Sequence, residues 1–157
     1  MTQPNLPAPR LDFVFAAHVT VGAPRELGDV GKGRRRIVPI TGGEFSGPGL
    51  RGIVLDGGAD WQIIRSDGVA ELEARYTLRC EDGALIEVRN LARRHGPPHV
   101  MAAMAAGQSV DPGSYYFRGA TFFETSAEPY LWLSRHIVIC TGHREAAAVT
   151  VEFYRTD

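Results

Sequence analysis

The chain is poor in everything that would tie it covalently or electrostatically to a partner. Of its 157 residues only two are cysteine, Cys80 and Cys140, too few for a disulfide framework and at a spacing that matches no metal motif. Both are expected to be buried free thiols on strands, in a reducing compartment. No apolar run approaches the ~18 residues that a membrane-spanning helix needs. The first ten residues carry three prolines and no apolar stretch, so no signal peptide is expected and a cytoplasmic location is. Charge of one sign is also missing: 17 basic and 18 acidic side chains leave a net charge of −1. That balance draws the molecule to neither nucleic acid nor acidic membrane, and neither is expected as a partner.

Local catalytic signatures are missing as well. There is no Gly-x-Ser-x-Gly elbow, no nucleophilic-cysteine motif and no dinucleotide fingerprint. The run GDVGKGRRR at 28–36 lacks the upstream glycine and the Ser/Thr after Gly-Lys of a phosphate loop, and reads as a solvated loop or a lid. His18, His95, His99, His136 and His143 form no ligand set, since two prolines prevent a helix across His95 and His99. No metal and no cofactor is expected.

What is present is strand pattern. Apolar residues make up 44% and charged residues 22%, ordinary for a globular protein, and about two thirds of the unfolded surface should be buried without metals or disulfides. Residues 1–10 read as a flexible arm and 11–157 as one domain. Residues 11–21 are apolar at every odd position, the period of a half-buried strand. Residues 22–33 read as a loop or flap, 34–41 as a strand with Pro39 at an edge or bulge, and 42–49 as a bend. Gly57-Gly58, Asp67-Gly68 and Asp82-Gly83 then separate strands at 50–55, 59–65, 69–80 and 84–90, a meander.

Taken as a two-residue turn, Asp67-Gly68 sets Trp61 opposite Ala74, Ile63 opposite Leu72 and Asp60 opposite Arg75, keeping the apolar set on one face. A three-residue loop would oppose Trp61 to Glu73. At residues 81–83 a three-residue loop is preferred instead, pairing Leu78 with Ile86 and Tyr76 with Val88. One face then carries Trp61, Ile63, Leu72, Tyr76, Leu78, Ile86 and Val88. The other carries Asp60, Gln62, Glu71, Glu73, Arg75, Glu87 and Arg89. Residues 97–106 read as the one helix, opened by proline and ended by Gly107. Residues 115–125 and 130–141 read as a hairpin, and 147–154 as the last strand. Eight or nine strands of this length close up, so the fold class is all-β, a small antiparallel barrel with one short helix.

The runs GRRRIVPITGG (33–43), GPGLRG (47–52), GADWQ (58–62), ARY (74–76), DGA (82–84), YYFR (115–118), FET (123–125) and YLWL (130–133), in this order, resemble domain-of-unknown-function family 3237. The resemblance spans about residues 11–155, with Ser134 standing where the family commonly has Asn. It implies a small antiparallel β-barrel with a helix between strands, and self-association into a homo-oligomer. It implies no reaction.

Each candidate site residue has a chemical and a plain structural reading. Asp60, Arg75 and Arg89 share the polar face. Lining a lumen, they would hold a carboxylate or phosphate, with Asp60 moving a proton and Arg75 or Arg118 holding negative charge. Facing water, they form an exposed ion-pair ladder of little energetic weight. Trp61, Tyr76, Tyr116, Phe123 and Trp132 are either core or the wall of a small-molecule cavity. Tyr116, Arg118 and Glu124 share a strand face. Six residues, roughly 20 Å of extended chain, separate Arg118 from Glu124, so one ligand meets both only across a bent strand. Three functions follow from these alternatives. The first is a cofactor-independent lyase, isomerase, cyclase or dehydratase acting on a small aromatic or oxygenated apolar compound. The second is a carrier barrel with the same cavity and no chemistry, and the third a solid interaction module.

Overall fold

Alternating inward apolar and outward polar residues fold the chain into strands, and the turn residues between them set where each strand ends. The computed structural model describes residues 3–157. The strands are β1 (Leu11–Val21), β2 (Arg25–Asp29), β3 (Arg34–Gly47), β4 (Leu50–Val54), β5 (Gly58–Ile64), β6 (Ala70–Cys80) and β7 (Leu85–His95). After the helix α1 (Pro98–Ala105) come β8 (Tyr116–Glu124), β9 (Val138–Arg144) and β10 (Ala148–Thr156). Pairing is antiparallel and closes on itself through β1 and β3. On one edge of β3 lie β1 and β2, on the other β4 and β5, and β6 to β10 complete the circuit back to β1. The result is a closed eight-stranded antiparallel barrel with two extra strands, the all-β barrel that the sequence predicts. No helix among the described residues is long and apolar enough to cross a membrane.

Two clusters fill the interior. Around Phe15 one cluster packs solid: Phe153 stacks on it at 4.4 Å between centroids, and Phe45 and Phe123 meet it edge-on. Such contacts add about 0.5–1.5 kcal/mol each beyond burial, so this end of the barrel is rigid. The second cluster holds Leu72, Ala92, Tyr115 and Phe117, with Val100 and Met104 of α1 packed into it.

Several boundaries differ from expectation. Residues 25–29 form β2 rather than a flap, and β3 runs through the expected bend at 42–49 as far as Gly47. Residues 128–135 are 3₁₀ turns rather than strand, with Pro129 at their start removing a donor that a ladder would need. Of the expected arm at 1–10, residues 1 and 2 lie outside the described residues. Residues 3–10 are exposed and form no strand, and Arg10 Nε donates to Asp157 at 2.6 Å.

The consequential difference is the register of β5. Trp61 stands opposite Glu73, Asp60 opposite Ala74 and Ile63 opposite Glu71, one residue away from the two-residue-turn alignment. The loop explains it. Residues 66–68 form a three-residue loop closed by Arg65 N–H to Val69 O, with Gly68 at φ +87° and Asp67 Oδ1 accepting from Val69 N–H. The loop at 81–83 is its copy: Cys80 N–H bonds Ala84 O, Gly83 has φ +88°, and Asp82 Oδ1 accepts from Ala84 N–H. Left-handed glycine at the third position is the mark of this loop. A one-residue slip turns every side chain over. Asp60 and Gln62 therefore point into the barrel, while Trp61 and Ile63 join the outer face. The second expected register, Tyr76 opposite Val88 and Leu78 opposite Ile86, is the observed one.

Candidate functional site

The site is built on β7. Its residues Ile86, Val88, Asn90, Ala92 and Arg94 alternate inward and all are buried. Ile86 and Val88 join the phenylalanine core. Asn90, Ala92 and Arg94 line a cavity of about 70 Å³ between the two clusters. One water needs roughly 10–15 Å³, so there is room for several waters or for part of a small ligand. Val19, Ile40, Leu72 and Phe117 supply apolar wall, and Asp60, Gln62, Tyr76, Asn90, Arg94 and Arg144 supply polar groups. An apolar wall with a few convergent polar groups is the make-up of a small-molecule site. The exposed Pro24 and Ala146 lie at its rim.

A short relay orients the acid. Arg36 Nε donates to Gln62 Oε1 at 2.6 Å, which turns the Gln62 amide nitrogen toward Asp60, where it donates to Oδ2 at 2.7 Å. Oδ1 of Asp60 is shut off from solvent and has no hydrogen-bond partner. Burial pushes the Asp60 carboxyl up from the usual range, against the opposing pull of the Gln62 bond and of Arg94, Arg36 and Arg144. Asp60 is thus harder to ionise than an ordinary aspartic acid, with Oδ2 held by an N–H and Oδ1 free of donors. Tyr76 stands near by, its hydroxyl pushed well up by burial and by Cys140 and Asp60.

The cations are unevenly satisfied. Arg36 has Gln62, and Glu26 at 3.9 Å. Arg94 is 5% exposed and sits over the Phe117 ring, 5.7 Å from its centroid. Among the described residues no carboxylate oxygen comes within 4.0 Å of it. Burial, then Arg144 and Arg36, bring its pKa down to about 10. Arg144 lines the same cavity, and its backbone N–H donates to Tyr115 Oη at 2.9 Å, which lies 3.0 Å from His143 Nδ1. Asn90 Oδ1 accepts from Thr121 Oγ1 at 2.9 Å and from Cys140 Sγ at 3.3 Å. Its amide N–H groups are thereby left for the cavity side. Gly142 makes the arrangement possible, because a Cβ there would stand 2.7 Å from the Phe117 ring.

The residues singled out in the sequence are dispersed by this geometry. Asp60 and Tyr76 line the cavity. Arg75 and Arg89 lie outside, at 3.3 and 3.1 Å from the same Glu73 oxygen, so Asp60 does not face Arg75. Arg118 is also outside, donating to Thr141 Oγ1 at 2.6 Å and lying over Tyr116, itself exposed and stacked on His95. Glu124 is exposed opposite Glu87, and Trp61 is 37% exposed. Phe123 belongs to the solid core, and Trp132 packs beside it under Arg155, 5.7 Å away. No cluster of three or more His, Cys, Asp or Glu able to hold a metal forms among the described residues.

Arg94 and Arg144 escaped sequence reading, although a signal for both exists. Even-numbered positions point inward along β7, and likewise along β9 at Val138, Cys140 and Gly142. Carrying that alternation to the strand ends leads to Arg94 and Arg144.

The barrel is shared with known proteins. The family model described as "Protein of unknown function (DUF3237)" matches residues 9–156. A UPF0311 protein of Clostridium acetobutylicum is 40% identical over 152 residues, 96% of each chain. The crystal structure of a conserved protein of unknown function from Rhodopseudomonas palustris superposes with a TM-score of 0.91 at 37% identity, covering 97% of this chain and 100% of that one. A protein of Penicillium herquei named the hydroalkoxylation enzyme phnH is 30% identical over 127 residues, 80% of this chain and 69% of its own. With the family model running from before β1 to the end of β10, the chain belongs to the DUF3237 family.

Proposed function

We propose that this barrel is a cofactor-independent enzyme that adds a hydroxyl group across a carbon–carbon double bond of a small, largely apolar substrate, or runs the reverse elimination. The observation that carries the reading is Asp60: a carboxyl made harder to ionise, fixed by Gln62, beside an apolar cavity. A carboxyl whose pKa burial raises suits proton delivery to a weakly basic centre. The name of the Penicillium herquei relative supports the same reaction class. In the forward direction the Asp60 O–H bond breaks as a C–H bond forms. The substrate hydroxyl oxygen bonds the neighbouring carbon as the double bond is consumed. The hydroxyl proton then returns to the Asp60 carboxylate. Atoms and electrons balance within one substrate, so the product of ring closure has the mass of the substrate.

The test is incubation with a panel of ortho-alkenyl phenols in D2O, read by chromatography and mass spectrometry. The wild-type protein should give a cyclic ether carrying one solvent deuterium on carbon, and Asp60→Asn should give none. Equal turnover by Asp60→Asn would contradict the mechanism. Phenols held tightly but recovered unchanged would point to the carrier reading instead.

A further inference from the structure

We propose that the Arg94 end of the cavity is an anion site, in which a planar oxyanion of the ligand distinct from its reacting hydroxyl, a carboxylate or a second, ionised phenol, accepts hydrogen bonds from Arg94 and Arg144 while its apolar body lies against Leu72 and Phe117. The inference rests on the lumen being a ligand site and deepens that reading by fixing the ligand's charge.

The charge at this end of the cavity is unmatched. Arg94 is 5% exposed and lies over the Phe117 face, which accepts none of its five N–H donors and leaves them to the cavity. A cation taken out of water is costly unless paired and hydrogen-bonded. Arg144 brings a second guanidinium to the same cavity, also without a carboxylate oxygen within 4.0 Å among the described residues. Arg36 does not share the vacancy, since Gln62 and Glu26 engage it. Asp60 attracts the pair only from beyond 4.0 Å and bonds neither arginine: its Oδ2 accepts from Gln62 and its Oδ1 meets no donor. Two guanidinium groups facing one apolar cavity, with the Asn90 amide alongside, match a flat monoanion. A tetrahedral dianion fits poorly, because the wall is mainly apolar and Asp60 lies on it.

Calorimetric titration of the purified full chain tests this with benzoate and 4-nitrophenolate as anions, against benzamide and 4-nitroanisole as neutral counterparts. Each anion that fits should bind about tenfold or more tightly than its neutral counterpart. Comparing benzoate with 4-nitrophenolate tells carboxylate from phenolate. Arg94→Met should remove that preference, and Arg94→Lys should keep part of it, so lost charge is told apart from lost packing. Asp60→Asn should retain the anion preference while losing turnover, which separates this site from the proposed chemistry. If ring closure still depends on Asp60 but anion preference is absent, the anion site is wrong and the enzyme reading stands. Neutral probes binding as well as the anions, Arg94→Met leaving the preference intact, or neither anion binding at millimolar concentration would each overturn the proposal.

Discussion

Replacing Arg94 with methionine exchanges a buried cation for an unbranched apolar side chain of similar reach. Burial and the neighbouring Arg144 and Arg36 bring the Arg94 pKa down to about 10, well below that of an ordinary arginine. At ~1.4 kcal/mol per pH unit, that fall is a penalty of about 3 kcal/mol on the folded state. Losing the contact with Phe117 costs back roughly 0.5–2 kcal/mol, so the variant should be more stable by ~1–2 kcal/mol. For a chain of this length the melting temperature should rise by roughly 2–8 °C. The sign follows from proton counting. At neutral pH the folded and unfolded chains both carry the arginine proton, so the whole penalty is present. It fades only above about 10, where the folded chain has released a proton that the unfolded chain still binds. Differential scanning calorimetry at neutral pH, without ligand, reads the effect directly. A melting temperature equal to or below that of the wild type would mean that something already satisfies Arg94, and the argument from unmatched charge would fail.

Other consequences are equally concrete. Because burial raises the Asp60 pKa, the wild-type fold loses stability as pH rises from the ordinary aspartate value through the raised one. Asp60→Asn has no such loss, so its melting temperature should gain on the wild type as pH rises above the ordinary aspartate range, and parallel curves would contradict the burial of that carboxyl. Gly142→Ala places a methyl 2.7 Å from the Phe117 ring and should cost about 1–3 kcal/mol while narrowing the cavity; unchanged stability in urea titration would show that the ring has room to move. Arg75→Ala and Arg118→Ala, on the outer face, should each shift stability by no more than ~1 kcal/mol and leave deuterium incorporation unchanged. A large loss of turnover in either would restore the outer face as a site.

The barrel is legible in the sequence because period-2 alternation and Asp-Gly turns are local signals. The β6–β7 hairpin was readable to the residue, since Tyr76, Leu78, Ile86 and Val88 are all apolar and agree on one face. The β5–β6 hairpin misleads by the same logic. Apolar Trp61 and Ile63 face away from the lumen, Ile63 still buried, and polar Asp60 and Gln62 face into it, so the functional interior inverts the pattern that usually identifies a core. The loop chemistry at 66–68 held the right answer, being the same three-residue turn as at 81–83. Asp60 was found as a candidate from its place in a polar cluster, but the arginines that accompany it are not those of that cluster. Arg94 and Arg144 come from the far ends of β7 and β9, brought beside Asp60 by barrel closure, which no local pattern encodes. The turns at 128–135 escaped for a simpler reason: Tyr130, Leu131 and Trp132 look like strand until Pro129 is read as the start of a helical turn.

A crystal structure of the protein with 4-nitrophenolate would test the central claim, that the lumen beside Asp60 and Arg94 is the ligand site. The account predicts the ring between Leu72 and Phe117, its oxyanion within hydrogen-bond distance of Arg94 and Arg144, and Asp60 alongside. Probe found only on the outer face near Arg75 or Arg118, with the lumen closed by its own side chains, would contradict it.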